Sequence, residues 1–333
     1  GIKEIKTAGP YLNFKIDEEL LIKDTLAVIQ KEKENFGQNN SGENKKIIVE
    51  FAHPNTHKAF HIGHLRNILT GESVSRIMEA NGYKISRVNY QGDIGLHIAK
   101  CLWGINSDKL KRNFDKQLNY INTIPEVTIR NRAEFLGYAY VYGSVNYETN
   151  EAVKKEIIDL NNKIYNQDES IVEVYKMTKQ WSLDYFETIY KRVNTKFDRL
   201  FFESEVFESG RKIVLQNLEK GNFKKSEGAI IFEGENYGLH NRVFINSEGN
   251  PTYEAKDMGL AKLQFDEFKP EKIIHVVGPE QLEYFKVIIK ALEIIMPEVG
   301  KREVHLRYGW VRLKEGKMSS RLGNVILGEW LLD

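Results

Sequence analysis

The sequence contains few of the features that mark several other classes of protein. It has one cysteine, Cys101, so an intramolecular disulfide is excluded and a cytoplasmic protein is expected. Its 48 basic and 47 acidic residues leave a net charge of +1, so no overall field draws the chain to nucleic acid or to an anionic membrane. No apolar run reaches membrane-spanning length, and the first residues form no signal-like apolar core. A nucleic-acid partner would therefore need a local basic patch.

The length of 333 residues and the hydrophobic fraction of 41% predict a sizeable core, in two domains or in one large domain with an insertion. A polar linker at 37–44 is the clearest boundary. A buried strand is predicted at 47–51, then a helix with apolar positions from Leu65 to Met78 that ends near Gly82, and a second strand at 84–90. This β-α-β unit predicts a parallel sheet.

The sequence pattern of the rest of the chain changes twice, from α/β to helical and back. Residues 105–195 are helical in pattern, charged and rich in tyrosine, which predicts a helical insertion. Strand patterns return at 229–232 and 243–245, and a second α/β half follows with a strand at 273–277, a helix at 281–295 and a strand at 304–308. The predicted division begins with 1–40, the remnant of an appended N-terminal domain and a linker. It continues with a first α/β half at 45–104, a mainly helical insertion at 105–225 and a second half at 226–333.

Two short motifs carry the chemistry. His61-Ile62-Gly63-His64 lies between the first strand and the following helix, where free N–H groups favour a phosphate and Gly63 lets a nucleotide approach the backbone. Imidazole N–H groups can donate to the oxygens of the α-phosphate as charge develops. Far downstream, Lys317-Met318-Ser319-Ser320 supplies a cation and two hydroxyls. Together the motifs predict a site that holds ATP while its α-phosphate is attacked.

A zinc site is the alternative for the histidines, because four of the eight, His53, His57, His61 and His64, lie within twelve residues. Pro54 and Gly63 make one continuous helix through all four unfavourable. No cysteine or carboxylate lies among them to complete a ligand set. The phosphate site is therefore the preferred interpretation, and no metal ligand is predicted.

At this point the sequence resembles a known family. The two motifs resemble the signatures of class I aminoacyl-tRNA synthetases. Further segments resemble arginyl-tRNA synthetase, in the right order along nearly the whole chain: 50–55 (EFAHPN) with Lys58, 251–257 (PTYEAKD), 277–281 (VGPEQ) and 316–324 (GKMSSRLGN). The resemblance implies a Rossmann-like parallel α/β sheet with a largely helical insertion between its two halves.

The resemblance also implies a role for each matching residue. ATP would be bound by His61, Gly63, His64, Gly278, Glu280, Lys317, Ser319 and Ser320. His61, His64, Lys317 and Lys58 would act in catalysis, since a lysine placed like Lys58 can take the part of the signature lysine. Arginine would be bound by Glu50, Asn55, Tyr253, Asp257 and Gln281.

The residues of the arginine site make chemical sense by themselves. A guanidinium is a planar fork of five donors that stays charged, and it favours carboxylates set for bidentate contact. Asp257 follows Tyr253 by four residues, so both share one face if the segment is helical. Lysine should then compete poorly, because it would leave polar groups of the site unpaired. The plainer alternative is that Glu50 and Asp257 are ordinary surface carboxylates.

The family further implies a reaction and its partners. L-arginine would attack ATP, with Mg²⁺ on the phosphates, and the arginyl group would pass from the adenylate to the tRNA acceptor end; activation generally requires bound tRNA. Family members continue into an anticodon-binding domain that this sequence does not contain. We therefore expect a monomer that binds arginine and ATP but charges tRNA weakly or not at all.

Two alternatives stay open. One is another adenylate-forming or nucleotidyl-transferring enzyme of the same fold, which would lack the acidic site around Asp257. The other is a non-catalytic tRNA-binding relative of a synthetase, which would usually lose signature residues.

Overall fold

The computed structural model describes residues 1–119, 124–309 and 327–333. The strands are β1 (Ile2–Ala8), β2 (Tyr11–Ile16), β3 (Lys46–Glu50), β4 (Lys84–Gln91), β5 (Arg199–Phe202), β6 (Lys224–Ser226), β7 (Ala229–Phe232), β8 (Arg242–Ile245), β9 (Lys272–Val277) and β10 (Glu303–Arg307). The helices are α1 (Glu18–Glu32), α2 (Ile62–Ala80), α3 (Leu96–Asn106), α4 (Lys111–Asn119), α5 (Pro125–Thr149), α6 (Glu151–Tyr165), α7 (Val172–Arg192), α8 (Glu203–Glu219), α9 (Tyr253–Phe268), α10 (Leu282–Ile295) and α11 (Pro297–Gly300).

The centre of the fold is a five-stranded parallel sheet in the order β10-β9-β3-β4-β5. Its middle strand β3 carries Ile47, Ile48 and Val49, which are all buried, as expected where helices cover both faces of a parallel sheet. The predicted α/β class and parallel sheet are confirmed. Because the chain leaves β3 toward β4 on one side and β9 lies on the other, a crevice opens at the carboxyl ends of β3 and β9.

The strand β5, inside the stretch predicted to be a helical insertion, was not predicted from the sequence. β5 pairs in parallel with β4, with Val88 opposite Arg199 and Gln91 opposite Phe202. It therefore belongs to the central sheet, although it lies inside the range 105–225 predicted as an insertion. Of the helices before it, α4, α5 and α6 pack on α3 and α7 packs on α5, around a core that includes Ile98, Leu136 and Ile157.

Two smaller sheets flank this arrangement. β6, β7 and β8 form an antiparallel sheet, so the strands predicted at 229–232 and 243–245 are present but do not join the parallel sheet. β1 and β2 form a hairpin whose residues are all exposed. Within the described ranges, no helix has both the length and the apolar character needed to cross a membrane.

Candidate active site

A cavity of about 570 Å³ lies at the carboxyl ends of β3 and β9. Its lining includes ten of the residues predicted for the site: Glu50, Asn55, His61, Gly63, His64, Tyr253, Asp257, Gly278, Glu280 and Gln281. Lys58 instead lines a neighbouring cavity of about 520 Å³, whose lining also includes Tyr253. Lys317, Ser319 and Ser320 lie outside the described residues. The structure thus brings both predicted ligand sites into one cavity.

The loop from β3 to α2 has an unusual backbone. Ala52 and His53 adopt the left-handed region, with φ of 83° and 53°, which non-glycine residues rarely occupy. Side chains on neighbouring elements hold this conformation. Asn67 Oδ1 accepts the Ala52 N–H at 2.6 Å, and Asn89 Oδ1 accepts the His53 N–H at 3.1 Å. The loop is therefore fixed from α2 and β4 before any ligand arrives.

We call His61, Gly63 and His64 the histidine half of the cavity. The His61 and His64 rings are stacked, with centroids 3.8 Å apart. The Gly63 N–H donates to His61 Nδ1 at 3.1 Å, and the His61 N–H donates to His64 Nδ1 at 3.2 Å. A Cβ on Gly63 would lie 2.9 Å from two atoms of the His61 ring, so the close approach requires glycine. These contacts cap the N-terminus of α2.

Both imidazoles of the histidine half are neutral. Burial, with a smaller contribution from the charge of Lys58, lowers the pKa of His61 to about 4. Burial also holds the pKa of His64 well below its ordinary value. Because each Nδ1 accepts a hydrogen bond, each neutral ring carries its proton on Nε2. The pair therefore offers Nε2–H donors to the cavity without a positive charge.

The other two histidines of the cluster have separate surroundings. The His57 ring is buried, with Nδ1 at 3.1 Å from Thr56 Oγ1 and Nε2 at 2.7 Å from Thr178 Oγ1, so it links the loop to α7. His53 lines the cavity, and its Nε2 is buried without a hydrogen-bond partner in the described chain. In residues 1–119, 124–309 and 327–333, no group of three or more histidine, cysteine or acidic side chains could hold a metal ion. The zinc alternative therefore finds no ligand set in these ranges.

We call Glu50 and Asp257, with the residues that contact them, the acidic half of the cavity. Tyr253 and Asp257 lie four residues apart in α9, so the predicted helix and shared face are confirmed. The Tyr284 hydroxyl donates to Asp257 Oδ2 at 2.6 Å. Burial nevertheless raises the pKa of Asp257 to about 7, because the hydrogen bond offsets only part of the desolvation.

Asp257 differs from the other acidic side chains around it. Lys256 pairs with Glu203 at 2.6 Å, and Arg242 pairs with Glu254 at 3.1 Å. Among the described residues, Asp257 has no cation within ion-pairing distance and its hydrogen-bond partner is the neutral Tyr284. Asp257 is half-buried and lines the cavity, so its carboxyl group is open to a ligand that enters there.

The segment after β9 places three more predicted residues at the same edge. Gly278, Glu280 and Gln281 follow the strand in a single turn, closed by a bond from the Gln281 N–H to the Gly278 carbonyl at 3.1 Å. Across the crevice, Asn55 Oδ1 accepts the Gly92 N–H at 3.1 Å. All of these residues line the cavity.

Several residues of the site were not predicted from the sequence. They are Asn67, which holds the loop, and Arg242, Gln264, His275 and Glu303, which surround the acidic half. Tyr284, which donates a hydrogen bond to Asp257, was not predicted either. No local motif marks these residues, because each acts through a partner that is distant in sequence.

The comparisons with known proteins identify the family. The family described as tRNA synthetases class I (R), catalytic domain, matches residues 25–333. The arginine–tRNA ligase of Borreliella afzelii is 37% identical over 337 residues, which cover 99% of this chain and 56% of the relative. That of Treponema denticola is 34% identical and covers 98% of this chain and 54% of the relative. The chain therefore spans about half the length of these curated relatives.

The solved structures give the same fold. Thermus thermophilus arginyl-tRNA synthetase superposes with a TM-score of 0.70 at 21% identity, over 99% of this chain and 57% of that one. The Plasmodium falciparum arginyl-tRNA synthetase superposes with a TM-score of 0.66 at 20% identity. Since the family match extends over most of the sequence and the described signature residues converge on one cavity, the chain belongs to the arginine-type class I tRNA synthetase catalytic domains.

Proposed function

We propose that the protein is an arginine–tRNA ligase, which activates L-arginine with ATP and transfers the arginyl group to tRNA. The observation that carries this proposal is the position of Asp257. A half-buried carboxyl group that has no cation partner among the described residues shares one cavity with a pair of neutral imidazole donors. A cationic amino acid and a nucleotide phosphate are the complementary ligands for these two halves.

Arginine recognition is assigned to the acidic half. The guanidinium would pair with Asp257 and Glu50, whose oxygens can receive its planar fork. Tyr253, exposed at the start of α9, would pack on the guanidinium or its alkyl stem. Asn55 and Gln281, at the edge between the halves, would contact the α-ammonium and carboxylate groups.

ATP is assigned to the histidine half and the turn after β9. The Nε2–H groups of His61 and His64 would donate to the α-phosphate oxygens, with Gly63 allowing close approach and Glu280 contacting the ribose. The arginine carboxylate, ionised at neutral pH, needs no general base to attack the α-phosphorus. The protein would therefore act mainly by positioning and by charge stabilisation. ATP would enter with Mg²⁺ held by phosphates and water, which requires no protein cage.

Lysines would complete the charge stabilisation. Lys58 lies close enough to lower the pKa of His61 by its charge, which supports a place near the phosphates. Lys317, Ser319 and Ser320 are proposed to hold the departing pyrophosphate. The arginyl group would then pass to the terminal ribose of the tRNA acceptor end. We also propose a cytoplasmic monomer, and weak charging of tRNA by the span of sequence described here.

The test is ATP–pyrophosphate exchange, measured with arginine or lysine, with and without tRNA. We expect exchange with arginine, stimulated by tRNA, and little exchange with lysine. His64→Ala should lower the rate by roughly 100-fold or more, because one donor to the developing charge is lost. If arginine supports no exchange even with tRNA present, the proposal is wrong. Equal exchange with an unrelated acid would favour another adenylate-forming enzyme, and ATP binding without any exchange a non-catalytic relative.

A further inference from the structure

A row of charged side chains crosses the strands β3, β9 and β10 and includes Glu50 of the acidic half. In the parallel register, Glu50 of β3 lies opposite His275 of β9, and His275 lies opposite His305 of β10. Glu303 precedes His305 by two residues, so it points to the same face of the sheet. Glu50, His275 and Glu303 therefore share one face, which α9 and α10 cover.

His275 is bonded on both sides. Its Nδ1 lies 2.8 Å from Glu50 Oε1, and its Nε2 contacts Glu303 Oε2. All three side chains are buried. Each contact between a ring nitrogen and a carboxylate oxygen requires a proton, and an imidazolium supplies both.

The charges agree with this geometry. Burial alone would lower the pKa of His275, but the two carboxylates outweigh it and hold the pKa well above its ordinary value. Burial alone would raise the pKa of Glu50, but His275 outweighs it and holds that pKa below its ordinary value. Glu50 thus stays ionised although it is only 2% exposed.

Both oxygens of Glu50 are anchored. Oε1 accepts from His275, and Oε2 accepts from Gln264 Nε2. The two donors fix the plane of the carboxylate. A carboxylate has about four lone-pair sites, so each oxygen can accept a further bond from a ligand in the cavity.

We propose that His275 is a positioning residue of the arginine site, holding the Glu50 carboxylate ionised and fixed in orientation for the guanidinium of the substrate. The inference rests on the proposed function, because it assumes that arginine enters the acidic half. His275 itself touches Glu50 and Glu303 and acts on the substrate through Glu50.

The other charged or titratable groups around Glu50 and His275 come from every neighbouring element. They are His53 from the loop after β3, Tyr90 from β4, Glu254 and Asp257 from α9, Tyr284 from α10, and Glu303 and His305 from β10. The pKa of His53 and of His305 lies below the ordinary value, mainly through burial. His275 is therefore the cation that keeps Glu50 ionised.

Removal of this cation has a predictable effect on pH dependence. In the wild type, Asp257 is the carboxylate that must lose a proton to bind arginine near neutral pH. In His275→Gln, Glu50 loses the strongest influence that opposes burial and keeps the hydrogen bond from Gln264, so its pKa rises and a second proton must leave. Affinity for arginine should then fall more steeply with decreasing pH in the variant than in the wild type.

The experiment is calorimetric titration of L-arginine and, separately, of ATP into the intact protein between about pH 6 and pH 8.5. We expect His275→Gln to raise the Kd for arginine by roughly 30-fold or more, with a steeper pH dependence and an unchanged Kd for ATP. His305→Gln is the matched control. His305 lies on the same face and stacks on the same Phe285 ring, at 4.9 Å against 5.0 Å for His275, but does not contact Glu50.

Three results would overturn the inference: equal arginine affinity in His275→Gln and the wild type, the same pH slope in both, or an equal loss in His305→Gln. Absence of arginine binding in the wild type would instead overturn the proposed function, and this inference with it.

A second measurement uses only the wild-type protein, so it does not depend on the folding of a variant. In wild-type protein labelled with ¹⁵N-histidine, we expect an imidazolium signal at about pH 8.5, where ordinary histidines are neutral. A spectrum with neutral rings alone would contradict the assignment.

Discussion

In the histidine half of the cavity, burial removes the charge of His61 and His64, whereas in the acidic half a buried cation preserves the charge of Glu50. The first half comes from one short segment, 61–64, whose own backbone N–H groups fix the tautomers. The second half comes from β3, α9, β9, α10 and β10, with Glu50 and His275 separated by 225 positions in sequence.

The difference follows from the ligand that each half is proposed to meet. Donors to a phosphate can be prepared by local hydrogen bonds, because a neutral imidazole is inexpensive to bury. A fixed negative charge needs a counter-charge in the same buried place, and the sheet register supplies it from another strand. Asp257 is left without such a partner. The two carboxyl groups therefore differ in the free protein. Glu50 is already ionised, whereas Asp257 is proposed to become fully ionised only when the substrate binds.

The largest effect should come from removing the charge of Asp257. Asp257→Asn should weaken arginine binding by roughly 100-fold or more, since the guanidinium loses a carboxylate inside the cavity. ATP binding should change little, because the histidine half is untouched. Stability at pH 8 should not fall, since burial disfavours the charge that is removed. Calorimetry and thermal unfolding check these outcomes.

The matched control for Asp257→Asn is Asp266→Asn on the same helix. Asp266 is exposed, and it pairs with Lys262 and Lys269. This variant should bind arginine as the wild type does. If both variants, or neither, lose arginine binding, the distinction between Asp257 and an ordinary helix carboxylate is wrong.

A methyl group on Gly63 should damage the histidine half alone. In Gly63→Ala the new Cβ would meet the His61 ring at 2.9 Å, so the ring must move and its bond from the Gly63 N–H is lost. The rate of ATP–pyrophosphate exchange should fall by roughly 10- to 100-fold, because Nε2–H of His61 no longer points to the phosphate. Arginine affinity and thermal stability should remain close to wild type, since alanine favours helix α2.

Gly137→Ala is a suitable control for Gly63→Ala, because a Cβ there meets its nearest neighbour, Ala59, at an ordinary 3.9 Å. Its exchange rate should not change. Full exchange activity in Gly63→Ala would show that the stacked arrangement of His61 and His64 is not needed.

The sequence predicted the parts of this molecule that are encoded locally. The apolar run of β3, the helical pattern of α2 and the four-residue spacing of Tyr253 and Asp257 all appear as predicted. β5 was not predicted, because four residues leading directly into α8 carry no distinct period. The partners of Glu50 were not predicted either, since strand register between β3 and β9 is set by tertiary packing.

The two halves should also respond differently to pH. The pKa of Asp257 is about 7, so the free protein holds a proton there below that pH, and arginine must displace it. Affinity for arginine should fall about tenfold from pH 8 to pH 6, while it is nearly constant above pH 8. ATP binding through neutral histidines, whose pKa values lie lower, should show no such change. Arginine affinity that is flat over this range would place Asp257 outside the binding step.

The smallest effect should come from removing the hydroxyl of Tyr284, which changes the pKa of Asp257 and leaves the histidine half untouched. Tyr284→Phe removes the hydrogen bond to Asp257 Oδ2 but keeps the ring, over which the Arg242 guanidinium lies at 5.0 Å. That hydrogen bond lowers the pKa of Asp257, so its loss should move the midpoint of arginine affinity above pH 7. Affinity should fall a few-fold at pH 7 and approach the wild-type value at about pH 9, where Asp257 is ionised in both proteins.

Tyr237→Phe, an exposed ring stacked on Phe232, is the control and should leave the midpoint unchanged. A midpoint that moves down in Tyr284→Phe would mean that Tyr284 stabilises the protonated carboxyl group, and that Asp257 is held neutral until the guanidinium binds.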